Sequence, residues 1–203
     1  RPDFSLSCHP GASRDPAIDH NMPEQPDPQA SGVRADAGLH RNHERAVLIL
    51  ADIGFNAPTV LLAHYGLTLE HIADEQPIPG SYWGECEAGI IGCTVYARSD
   101  TPLHSLLHEA GHLIVLPPDK RATVHTDATD SVPEEDAVCV LQGLLGEALG
   151  VPRARIWADM DSWGYTFRLG SAQAYVERDA DDAWRWLREH GLIDCNGALL
   201  LPH

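Results

Sequence analysis

The chain has 203 residues, with 14 Lys and Arg against 30 Asp and Glu, and a formal net charge of −16. That acidity argues against nucleic acid and anionic membranes as main partners, since both call for a basic surface. No apolar run approaches the ~18 residues needed to span a bilayer. The length fits one domain with appendages, and 43% apolar residues suffice for a core.

Residues 1–40 are rich in Pro, Asp, Ser, Gly and Ala and lack periodicity, so a disordered or loosely packed tail is expected there. Their start holds no apolar stretch of the kind a secretory signal needs, which points to a cytoplasmic protein. The first methionine is Met22, just ahead of the linker PEQPDPQASG, which makes residues 1–21 a candidate over-extended start. Five scattered cysteines, Cys8, Cys86, Cys93, Cys139 and Cys195, form no CxxC pair. Reduced thiols are expected, with a Cys86–Cys93 bridge across a hairpin as the alternative.

Residues 41–203 read as a single domain, in three parts: a helical cap over 41–79, a core over 80–150 and a C-terminal segment over 151–203. In the cap, HERAVLILADIGF suits a buried helix ended by Gly54. A second helix runs from Ala57 to Tyr65, and LTLEHIADE suggests a third before Pro77 and Pro79. Between Ser81 and Ser99, β-branched and aromatic residues with Gly punctuation predict two strands joined by a turn, the better one being Thr94–Arg98. Thr101 and Pro102 then start a helix that Pro117-Pro118 stops. Ser131-Val132-Pro133-Glu134 opens a long apolar helix, IWADMDSWGYTFRLG reads as a Trp-rich connection, and Ser171 begins a last helix ending near Gly191. The fold class is α+β, mostly helical, with a small sheet or hairpin ahead of the Thr101–Pro117 helix.

That helix contains His108-Glu109-Ala110-Gly111-His112, an HExxH motif. Residues four apart on a helix share a face about 6 Å apart, so two imidazoles can converge on one zinc ion at ~2.0–2.1 Å. The glutamate between them stands where it can accept a proton from water on the metal. With 12 His and 12 Glu in the chain, chance yields only ~0.04 such motifs. His104 lies one turn earlier, too far along the axis to join the same ion, and is a candidate for the pocket or for holding a ligand.

The third ligand is less plainly marked. The extended motif HExxHxxGxxH is absent, because Val115 and Pro118 occupy its Gly and His positions. The next acidic cluster is Glu134-Glu135-Asp136. Positions spaced on from Glu134 (Ala137, Val138, Leu141, Leu145) form an apolar inward face, whereas those from Glu135 include Gln142 and Gly146. Glu134 is therefore the favoured ligand and Glu135 the alternative, with His125 and Asp127 of the preceding loop as further candidates. Ser131-x-x-Glu134 can equally be a capping box.

A strand, an HE-x-x-H helix and a helix reading E-x-[DE]-A-x6-L-L resemble the gluzincin-type zinc metallopeptidases, above all the ImmA/IrrE-like branch. The match is carried by Thr94–Arg98, His108, Glu109, His112, Glu134, Asp136, Ala137, Leu144 and Leu145, within roughly residues 80–150. HEAGH also resembles a group of uncharacterised bacterial proteins. The resemblance implies a compact zincin-like domain, one Zn2+ held by His108, His112 and Glu134, and Glu109 as general base. Members often carry Asn where this chain has Val138. A donor opposite Glu109 is needed for the transition-state oxyanion, and Tyr165 and His125 are the candidates.

The expected function is hydrolysis of peptide bonds by Glu-assisted attack of zinc-bound water, with substrate aligned along an edge strand at Thr94–Arg98. The alternative is a zinc-stabilised binding or regulatory module without turnover, in which a fourth protein ligand closes the metal site.

Overall fold

The computed structural model describes residues 47–202 apart from 83, 85, 129 and 130. The expected tail over 1–40, the proposed start at Met22, Cys8 and the first residues of the HERAV helix lie outside the described residues.

Among the described residues the architecture is α+β, about half helical, with one three-stranded sheet. Two short helices, α1 (Leu50–Ile53) and α2 (Asn56–His64), precede strand β1 (Thr68–His71). The hairpin follows as β2 (Gly89–Ile91) and β3 (Thr94–Ala97), turning at Gly92, whose φ of 60° favours glycine. Then come α3 (Leu103–Val115), the short α4 (Pro118–Arg121), α5 (Val132–Ala148), α6 (Arg153–Trp163), α7 (Ala172–Arg178) and α8 (Asp181–Glu189). Cys86, Cys93 and Cys195 carry free thiols, so no Cys86–Cys93 bridge forms.

The strand order is β1-β3-β2, with β1 parallel and β2 antiparallel to β3. Val95 stands opposite both Leu69 and Ile90, and this buried row is the face the sheet turns toward the core. The stretch LTLEHIADE, expected to be helical, is a strand instead. Leu67 and Leu69 are buried while Thr68 and Glu70 are exposed, a period of two that pairing with β3 rewards more than local helix propensity does. This places Thr94–Ala97 in the middle of the sheet, not at its edge. The outer edge of β2 is covered too: Thr126 donates to the Ile90 carbonyl at 3.0 Å, and Gly92 donates to the Val124 carbonyl at 2.9 Å. The expected alignment of substrate along Thr94–Arg98 therefore has no free edge to use.

Three further expectations change. Residues 47–49 of the HERAV segment are extended, with Ile49 bridged to Pro102, and helix begins only at Leu50. Within the Trp-rich connection, 153–163 is helix α6, whose Ile156, Trp157 and Met160 face inward. Its buried Asp159 hid that pattern from a hydrophobicity reading; it pairs with Arg155 at 2.7 Å and accepts from the Leu48 N–H at 3.0 Å. The last helix is broken at Asp179 and Ala180 into α7 and α8. Ser171 caps α7, its hydroxyl accepting from Ala174 N–H at 3.2 Å.

Helix α3 is buried over almost its whole length and packs against α5 and the sheet. Leu103, Leu106, Leu107 and Leu113 are each no more than 1% exposed, and burial of each stabilises the fold by about 1.5–3 kcal/mol. Gly111 makes the close contact with α5 possible: a Cβ there would lie 2.9 Å from Val138 Cγ1. On its other side α5 offers Gly143 and Gly146 to Trp157 and Ile156 of α6, and α8 packs against it as well, so helices surround it.

Candidate metal centre

His108 and His112 follow the inward face of α3 and are 2% and 3% exposed. Their Nε2 atoms stand 3.0 Å apart, with the rings nearly perpendicular. Across the helix crossing, Glu135 of α5 brings Oε1 to 3.4 Å from His112 Nε2. These three residues offer one ligand atom each, all within 4.8 Å of one another. Two atoms that each sit ~2.05 Å from one ion at a tetrahedral angle are ~3.3 Å apart. Two imidazoles and one carboxylate at such spacings form a possible metal-binding triad.

The structure thus brings Glu135 to the histidines, and Glu134, the favoured residue, is not part of the group. Apolar facing could not separate the two, because α5 from Ala137 to Gly146 is buried all round. What matters is the direction toward α3. Glu135 lies three residues before Val138, the contact with Gly111, and seven before Gln142, which touches His108.

Glu109 is half-buried beside this group. Burial first, then the carboxylates of Glu135, Glu87 and Asp127, push its carboxyl well above the usual range. Every charged neighbour in that set is negative, so a divalent cation between the imidazoles would supply the missing opposite charge. The donor set therefore fits a dication. Glu87 is fixed by the Trp163 indole N–H, which donates to Oε1 at 2.9 Å.

Tyr165 also reaches the site. Its ring lies 5.8 Å from that of His108, edge to face, and 5.6 Å from that of His104. Burial, with the Glu109 and Glu87 carboxylates, raises its hydroxyl well above the ordinary phenol range, so it stays protonated and able to donate. His125 does not join the group: its ring is exposed and pairs with Thr126 Oγ1 at 2.8 Å, while its backbone bridges to Ile91. Asp127, two residues on, is close enough to Glu109 to raise its pKa. His104 is fully buried against Trp163 and Tyr165, neither ring nitrogen has a hydrogen-bond partner among the described residues, and burial lowers its pKa to about 3. It is neutral and lies behind the triad.

Two participants escaped sequence reasoning. Gln142 carried a signal, a lone amide in an apolar helix two turns from Glu135; Glu87, in an irregular segment ahead of β2, carried none. Compared with protein families, characterised proteins and solved structures, the chain matches none.

Proposed function

We propose that the protein is a zinc-dependent peptidase in which His108, His112 and Glu135 hold the ion and Glu109 acts as general base. The observation that carries this reading is the convergence of two buried Nε2 atoms and a carboxylate oxygen, with a second carboxylate of raised pKa alongside. Zinc held by these residues would supply Lewis acidity and would activate a water molecule as nucleophile near neutral pH. Glu109 would accept the proton of the attacking water at its carboxylate and return it to the leaving amine. The Tyr165 hydroxyl donates to the oxygen that gains charge. The gluzincin-type resemblance pointed to Glu134 as the ligand; in this reading Glu135 takes the position instead.

The test is zinc content and hydrolysis of a mixed peptide library by wild type and Glu109→Gln. Stoichiometric zinc in both proteins, with hydrolysis in wild type alone, is expected. Full activity in the mutant rules out Glu109 as base. Zinc without hydrolysis in wild type, together with a fourth protein ligand by X-ray absorption, favours the binding module instead.

A further inference from the structure

Gln142 is fully buried in the middle of the apolar stretch Ala137–Gly146. An amide placed there without partners would be costly, yet this one is bonded at both its nitrogen and its oxygen. Its Nε2 donates to the His104 carbonyl at 2.9 Å. Its Oε1 faces His108 Nδ1 at 3.3 Å.

The His104 carbonyl decides how this amide is oriented. A backbone carbonyl only accepts, so the NH2 end must face it; the flipped amide would set two oxygens against each other. With Nε2 so committed, Oε1 is left for His108, and an oxygen can only accept. His108 Nδ1 must therefore carry the proton, which leaves Nε2 as the bare nitrogen on the side of His112 and Glu135. We infer that Gln142 is a positioning residue: anchored by the His104 carbonyl, it sets the tautomer and ring direction of His108. The fixed tautomer requires no ion, whereas its consequence for affinity rests on the metal-site reading above.

The experiment has two arms. Long-range 15N–1H correlation spectra of the metal-free full-length chain read the His108 tautomer, and competition with a chromogenic chelator reads zinc affinity. Wild type is expected to show Nδ1–H. Gln142→Met, which keeps length but loses the amide, should show mixed tautomers and a roughly 10–100-fold loss of zinc affinity. Gln142→Glu, which still accepts at Nδ1, should retain the Nδ1–H form and guards against Gln142→Met simply misfolding. The inference is overturned if wild-type His108 is Nε2–H, if folded Gln142→Met keeps both tautomer and affinity, or if Gln142→Glu loses the Nδ1–H form. A wild type that shows Nδ1–H but binds no zinc refutes the metal site and leaves the tautomer assignment standing.

Discussion

Gly111 of α3 and Val138 of α5 meet where the two helices cross, so closely that a Cβ on residue 111 would lie 2.9 Å from Val138 Cγ1. The contact falls one residue before His112 and three after Glu135, so the separation of the helices there also sets the reach of the carboxylate to the imidazole. Gly111→Ala gains up to about 1 kcal/mol of helix propensity but must push Val138 aside, and overpacking of this kind costs about 1–3 kcal/mol. A net loss of roughly 1 kcal/mol in urea unfolding is expected, together with weaker zinc binding. Adding Val138→Ala should restore zinc affinity, since it frees the space the new methyl needs. Equal zinc affinity in wild type and Gly111→Ala would show that the crossing does not govern the triad.

The choice between adjacent glutamates gives a sharper test. Glu135→Gln should lose zinc binding, while Glu134→Gln should keep it, because only Glu135 lies with the histidines. Thermal unfolding provides the readout. Zinc at 1,000 times its Kd should stabilise wild type by about 4 kcal/mol, raise the midpoint of Glu134→Gln to a similar extent, and leave Glu135→Gln near its metal-free midpoint. The reverse pattern would return the ligand role to Glu134.

How much of this was legible beforehand depends on what each residue reports about its surroundings. Helix α3 could be read because Pro102 and Pro117 bracket it, although Thr101 proves to sit before the cap and accepts Arg98 N–H at its hydroxyl at 2.9 Å. The HExxH pair could be read because spacing on one helix is a local property. The third member of the triad could not, since it depends on where α5 crosses α3, and a helix buried on all faces carries no hydrophobic stripe to show which side meets which neighbour. Strand β1 was hidden for a related reason: Leu67 and Leu69 suit either period until β3 is there to pair with. Gln142 looked like a sign of a less buried face, when its polarity marks the face that meets His108.

His104 makes stability depend on pH in a definite direction. Its pKa falls from 6.5 in the unfolded chain to about 3 in the fold, so the unfolded state takes up the proton first on acidification. The contribution is complete above pH ~6.5 and is lost as pH falls toward 3, at up to about 1.4 kcal/mol per pH unit. Glu109 and Asp136 act in the opposite sense, since burial raises both carboxyls, that of Asp136 to about 6. The effect is therefore the difference between wild type and His104→Leu, both metal-free, in urea unfolding from pH 7 to pH 4. The variant should lose less stability across that interval. Parallel curves would mean that His104 is protonated in the fold and finds a partner there.

Tyr165 separates transition-state stabilisation from ground-state binding. The ring packs edge to face on that of His108 and burial keeps the hydroxyl protonated, and neither feature contributes a metal ligand. Tyr165→Phe should therefore keep stoichiometric zinc. If the hydroxyl donates to the developing oxyanion, kcat should fall by roughly 10²–10³ with KM nearly unchanged, because a donor aimed at charge that exists only in the transition state does little for bound substrate. A rise in KM at constant kcat would instead make Tyr165 a substrate-binding wall. The Tyr165 ring packs on that of His108, so the His108 tautomer of this variant should be measured in parallel. An Nδ1–H signal like that of wild type shows that the kinetic loss belongs to the missing hydroxyl and not to a displaced imidazole.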